Sequence, residues 1–299
     1  MNVHARVAPD AEGLAHQVDP LSRRGFFMTA SAAAAAGYTL AAGPVRADAI
    51  QTDTTGLTAG DTKVKVADGE MPAYYARPAS IQSPPVILVC MEIFGLHEYI
   101  KDVTRRLAKA GAFAVAPDYY FRLGEDLTKI TEAQKLLPLV NRKPDTELFS
   151  DLDATVAWAK SQGGDTNRLG IMGFCRGGRN TLEYAAHNPG LKAAVAFYGF
   201  PADPDSQKSI WPKSATERAG EMKAPVLAMY GEADQGIPVS QVDAFKAALQ
   251  AAGKTFEIKV YPGAPHGFHA DYRASYRKDT AEDAWNQTIA WFKRYGVLA

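Results

Sequence analysis

Short, uninterrupted apolar runs alternate with helix-period stretches along most of this 299-residue chain, and that alternation leaves few folds open. Pro85-Val-Ile-Leu-Val-Cys90 is a continuous apolar run. Side chains alternate in direction along a strand, so a run apolar at every position reads as a strand buried on both faces. Residues 97–110 follow with Val103 and Leu107 on one helical stripe and Gly111 as the stop. Residues 113–116 read as a strand closed by Pro117, and 129–141 as a short helix. Asp145–Ser161 is a stronger helix with Leu148, Leu152, Val156 and Trp158 on its apolar side. Strands are expected again at 169–173, 192–197, 225–230 and 256–260. Helices are expected from residue 175 to about His187, over 239–252 and over 282–295. Upstream, 62–66 alternates as a strand, 67–70 is a turn and 72–78 is the hairpin partner, while 50–62 reads as a polar linker or frayed start. A hairpin followed by β-α-β-α units predicts an α/β chain with a doubly wound, mainly parallel sheet flanked by helices. No Pro/Gly/Ser-rich linker interrupts it, so residues 50–299 are expected to form a single domain.

The first 49 residues differ. Arg23-Arg24-Gly25-Phe26-Phe27-Met28 leads into an alanine-rich run, 30–42, without a charge between Gly25 and Val45. Ala47-Asp48-Ala49 then offers small residues for cleavage, with Val45-Arg46-Ala47 as a second frame. This is the order of an export signal, and an Arg pair followed by Phe points to the twin-arginine type. Residues 1–49 are therefore expected to direct export to the periplasm. An uncleaved anchor would need roughly 20 strongly apolar residues; the run is shorter and alanine is weakly lipophilic, so no membrane span is expected after signal removal. Lys+Arg and Asp+Glu both number 33, which gives no electrostatic footprint for nucleic acid.

Gly173-Phe174-Cys175-Arg176-Gly177 lies between an expected strand and an expected helix, the setting of a G-x-nucleophile-x-G elbow. The turn is too sharp for side chains at the flanking positions, and the helix start favours thiolate over thiol at Cys175. The acid and base of such a site follow the nucleophile in chain order, on loops after later strands. Asp234, in Gly231-Glu232-Ala233-Asp234, and His266, in Pro265-His266-Gly267, occupy those places; Glu232 and His269 are their competitors. His187 reads as a dipole partner at a helix end, and His97 as a residue near Glu92 at the site mouth. Glu92 closes a buried strand. It is expected either beside Cys175, tuning the thiol, or in a buried ion pair with an arginine. The turn after it should supply one oxyanion N–H, that of Ile93, and the residue after the nucleophile, Arg176, the other. Cys90, within an apolar strand, reads as a small core side chain. No zinc-ligand spacing, phosphate-binding loop or dinucleotide fingerprint is present, and hydrolysis here needs no cofactor.

Glu92-Ile-Phe-Gly95, Pro117-Asp-Tyr-Tyr-Phe-Arg122, Gly173-Phe-Cys-Arg-Gly-Gly178, Tyr198-Gly199, Gly231-Glu-Ala-Asp234 and His266-Gly-Phe268 together resemble the dienelactone hydrolase family of α/β-hydrolases, across about residues 60–296. The resemblance implies the α/β-hydrolase fold and a triad of Cys175, Asp234 and His266. It implies that Glu92 contacts the resting thiol until substrate displaces it. It also implies that Arg122 binds a substrate carboxylate and that Tyr198 lines the site. One departure concerns a second arginine, which dienelactone-opening members carry four residues after the catalytic histidine. That position is Ala270 here, and Arg273 is the candidate replacement. A second departure is the export signal, since the familiar dienelactone reaction belongs to cytoplasmic aromatic degradation.

The leading expectation is a hydrolase of small anionic esters or lactones acting through an acyl-thioester on Cys175. The alternatives are a redox or stress protein using Cys175 as an oxidisable thiol, and a non-catalytic binding protein on the same scaffold.

Overall fold

The computed structural model describes residues 49–299; the export-signal reading lies outside them. Eight strands form one sheet in the order β1-β2-β4-β3-β5-β6-β7-β8. They are β1 (Leu57–Val66), β2 (Gly69–Pro78), β3 (Pro85–Cys90), β4 (Phe113–Pro117), β5 (Asp165–Phe174), β6 (Leu191–Phe197), β7 (Val226–Gly231) and β8 (Phe256–Tyr261). The β1/β2 and β2/β4 pairs are antiparallel and all others parallel. Helices α1 (Glu98–Lys109), α2 (Ala133–Val140), α3 (Asp145–Ser161), α4 (Arg176–His187), α5 (Val239–Ala251) and α6 (Lys278–Arg294) connect or close the strands. Every residue of β3, β4 and β7 is buried. Since successive side chains point to opposite faces, both faces of the central sheet are covered, which requires helices on each side.

The polar linker expected at 50–62 is corrected: β1 begins at Leu57 and pairs with β2 along its whole length, from Leu57↔Pro78 to Val66↔Gly69. An edge strand with one wet face tolerates Thr, Gly and Asp, so hydrophobic alternation underestimates its length. The segment before it is not frayed. Thr52 N–H donates to Asp102, Arg105 Nε donates to Thr52 O at 2.7 Å, and Lys109 Nζ donates to Asp53 at 2.9 Å. Similarly, α6 starts at Lys278 rather than 282, and α2 shortens to Ala133–Val140.

Helix α4 carries the elbow and is anchored by buried charges. Arg179 donates to Asp145 on α3 at 2.7 Å and to Asp203 at 2.7 and 2.6 Å. Beneath it Glu183 lies 3.4 Å from Arg218 Nε and 4.0 Å from Arg179, with no hydrogen bond to either carboxyl oxygen. Burial pushes this carboxyl up from 4.5 to about 8, aided by Asp145 and Asp203 and opposed by Arg179 and Arg218. The folded chain therefore holds this proton more tightly than the unfolded one, and stability falls as pH rises from about 4.5 to about 8. Glu183→Gln should flatten that decline. Urea unfolding at pH 6 and pH 9 checks it, and parallel losses in both proteins would refute it.

Candidate active site

Cys175 is the single residue between β5 and α4, with φ 57° and ψ −117°, a conformation that costs a side-chain-bearing residue about 1–3 kcal/mol. The surroundings leave no alternative. A Cβ on Gly173 would stand 2.3 Å from Gly177 O, and one on Gly177 would stand 2.1 Å from Cys90 O. The strand exit, helix start and β3 end are thus in direct backbone contact, and the Cys175 N–H is held by Phe197 O at 3.0 Å. Cys175 is a free thiol, 1% exposed, at the positive end of α4.

The loops after β7 and β8 are knitted together. Glu232 N–H donates to Tyr261 O at 2.9 Å and Ala233 N–H to Ala264 O at 3.0 Å. This brings Asp234 Oδ2 to 2.7 Å from His266 Nδ1, while Asp234 Oδ1 accepts from the N–H of Gly236 at 2.8 Å and of Ile237 at 3.1 Å. A carboxylate only accepts, so Nδ1 carries the proton and Nε2 faces away from the acid. Cys175 acts electrostatically on His266. Burial opposes the imidazolium, but the Asp234 carboxylate and Cys175 outweigh it and hold His266 well above its ordinary value.

The competitors have other partners. Glu232 is exposed and accepts from Gly263 N–H at 3.0 Å. His269 is buried and its Nδ1 shares a hydrogen bond of 2.6 Å with the Tyr99 hydroxyl; burial, helped by Arg106, drives it down to about 3, so it stays neutral. His187 pairs with Asp153 at 3.0 Å at the end of α4. Tyr198 is fully buried, with φ 38° and its ring 4.9 Å from that of His266. It packs against His266. Cys90 is buried in β3, and burial pushes its thiol up to about 12.

Three placements differ from expectation. Glu92 does not hydrogen-bond the thiol. It accepts from Tyr272 at 2.9 Å, lies 3.4 Å from His97 Nε2 and feels the charge of Arg273. Burial pushes its carboxyl up, but His97, Arg273 and Tyr272 outweigh that and hold it below the usual range. A buried carboxylate takes the nearest donors, which here are Tyr272 and His97. Arg273, the candidate substrate cation, is 5% exposed and lowers the Glu92 carboxyl through its charge. Its guanidinium lies over Phe94 at 4.0 Å and Tyr272 at 4.2 Å.

Arg122 is likewise committed. It forks onto Asp68 at 2.7 and 2.6 Å and onto Asp151 at 2.8 and 2.9 Å, tying the β1–β2 turn to α3. These contacts occupy the donors a substrate carboxylate would need. Arg122→Ala should cost about 1–3 kcal/mol of stability, with KM for an anionic ester changed less than about threefold. Thermal unfolding and kinetics together check this; a large KM rise at unchanged Tm would restore the substrate role.

For the oxyanion, Gly177 packed on Cys90 O and Met91 O sets the Ile93 turn beside the start of α4. Among the described residues neither the Ile93 nor the Arg176 N–H donates to a backbone carbonyl. For Arg176 this follows from its place as first helical residue. The role of Tyr272 beside the site carried no motif that could have flagged it.

The sequence pattern of the dienelactone hydrolase family matches residues 71–296. A Methylorubrum extorquens protein named "Putative carboxymethylenebutenolidase" is 51% identical over 291 residues, covering 96% of this chain and 98% of that protein. An Escherichia coli protein with the same description is 45% identical over 261 residues, covering 87% and 96%. A Klebsiella pneumoniae crystal structure described as a putative dienelactone hydrolase superposes with a TM-score of 0.77 at 46% identity, covering 80% of this chain and 99% of that one. A Pyrococcus horikoshii acylaminoacyl peptidase, 18% identical with a TM-score of 0.65, shares the fold alone.

Proposed function

This chain belongs to the dienelactone hydrolase family and is a hydrolase of the lactone and ester class, and from that premise we propose that it cleaves a small anionic ester or lactone with Cys175 as nucleophile, His266 as base and Asp234 as orienting acid. The observation that carries this reading is the linked set Asp234–His266–Cys175, closed by the 2.7 Å carboxylate–imidazole contact behind a thiol in a strained elbow.

The thiol proton passes to His266 Nε2, and the thiolate attacks the carbonyl carbon. The N–H groups of Ile93 and Arg176 receive the oxyanion. Collapse breaks the C–O bond, and the departing alkoxide takes the proton from His266; in a lactone it stays tethered to the acyl group. Water then gives a proton to His266 and attacks the thioester. The C–S bond breaks and Cys175 recovers its proton. Glu92, held by His97 and Tyr272, supports the Ile93 turn. With the signal read at 1–49, the reaction takes place in the periplasm.

The test is turnover of p-nitrophenyl acetate, a neutral lactone and a carboxylated dienelactone by the chain from Ala49 onward, beside Cys175→Ala. Turnover lost in the variant and an acyl-enzyme mass adduct on Cys175 are expected. Turnover that survives in Cys175→Ala would overturn the nucleophile. Peroxide oxidation of Cys175 without turnover of any member would favour the redox alternative.

A further inference from the structure

A cavity of about 420 Å³ lies between α1 and α6, and none of Cys175, Asp234 and His266 lines it. Its size is that of a small-molecule site. Ile50 and, on α6, Ala281 and Trp285 form apolar walls, while Arg106 of α1 and His269 are polar ones. His269 is 2% exposed. Its Nδ1 is taken by the Tyr99 hydroxyl at 2.6 Å, and its ring is fixed against Phe174 at 5.3 Å, Phe197 at 4.9 Å and Trp285 at 6.1 Å. Among the described residues its Nε2 forms no hydrogen bond, and it is not sealed in the core, so it is the ring atom open to the cavity. The charges around the cavity are already matched. Arg106 is held by Asp102 at 2.5 Å and by Asp271, and Glu282 at the rim is held by Lys278 at 2.6 Å. Burial and Arg106 keep His269 neutral.

We propose that this cavity is a second ligand site, apart from the nucleophile, for a small neutral aromatic molecule that bears a hydroxyl group. The aromatic ring lies against Trp285, where ring–ring contact adds to the area buried. The hydroxyl meets His269 Nε2. A hydroxyl both donates and accepts, so it satisfies that nitrogen in either tautomer of the imidazole, whereas a carboxylate only accepts and an ammonium only donates. A charged ligand would also be desolvated without a countercharge, since Arg106 and Glu282 are engaged. Phenols are the class that meets these conditions.

The experiment titrates the protein with p-cresol, toluene and p-toluate, read by saturation-transfer NMR, in wild type, Trp285→Ala and His269→Phe, with a thermal melt of each variant. p-Cresol should bind wild type with a Kd of about 1 mM. Toluene should bind about fivefold more weakly for want of the hydrogen bond, and p-toluate about tenfold more weakly for its unmatched charge. Trp285→Ala should weaken p-cresol binding about tenfold. His269→Phe keeps a ring but removes the nitrogen, so p-cresol and toluene should bind it alike. Toluene or p-toluate matching p-cresol on wild type would overturn the proposal. So would an unchanged p-cresol affinity in Trp285→Ala, which would put the binding elsewhere, the nucleophile's own site included. Absence of saturable p-cresol binding below about 20 mM would overturn it as well. The selectivity among the three probes is read on wild type, so a variant that fails to fold leaves the test decisive.

Discussion

Asp234→Asn should lower kcat by about four orders of magnitude with the fold intact. Two N–H groups, of Gly236 and Ile237, already point at Asp234 Oδ1. An amide in that place must turn its oxygen toward them, because two donors facing an NH2 group would leave three polar groups unsatisfied. Its NH2 then faces His266 Nδ1, which becomes an acceptor. The imidazole proton moves to Nε2, the nitrogen that must receive the thiol proton, and the base is lost through its tautomer rather than its position. His266 also loses the carboxylate charge that holds it well above its ordinary value. Kinetics with a thermal melt reads both halves of the statement. A loss below tenfold would mean that another group orients the imidazole.

Gly177→Ala is expected to be among the most damaging added methyl groups at the described glycines. The new Cβ would stand 2.1 Å from Cys90 O and 2.5 Å from Met91 O, backbone atoms at the end of β3 and just beyond it. No rotamer change relieves such a clash, so α4 must separate from β3, taking the elbow with it. The cost exceeds ordinary overpacking of about 1–3 kcal/mol, and a Tm loss of roughly 10 °C or failure to fold follows. Gly253→Ala is the control: φ is 63° but nothing lies within 4 Å, so the cost is backbone strain of about 1 kcal/mol. Equal shifts in the two variants would show that the start of α4 can slide.

The parts of the site legible in the sequence are those set by local pattern and chain order. Continuous apolar runs located β3 and β7, the alternation predicted a parallel sheet, and Asp145–Ser161 is the helix in both readings. Asp234 and His266 could be nominated because loops after successive parallel strands gather at one sheet edge. Side-chain partners across the fold could not. Arg122 meets Asp68 across 54 positions of sequence, and Glu92 meets Tyr272 across 180. Those distances come from how the hairpin turn and the 266–276 loop close over the sheet. Motif position names a residue but not the donors that compete for it. Hydrophobic period also failed at β1, where an edge strand keeps polar residues on its wet face.

The segment joining residues 50–55 to α1 has a mechanical consequence. Thr52 and Asp53 are pinned to Asp102, Arg105 and Lys109, and Arg106 on the same helix holds Asp271 in the loop that carries His266. A pull on the amino end is therefore resisted first in shear along α1, and only afterwards by the β1–β2 zipper. A tether fixed upstream of residue 50 would transmit tension to the loop that carries His266, whereas one at the carboxyl end, beyond α6, would leave that lever unloaded.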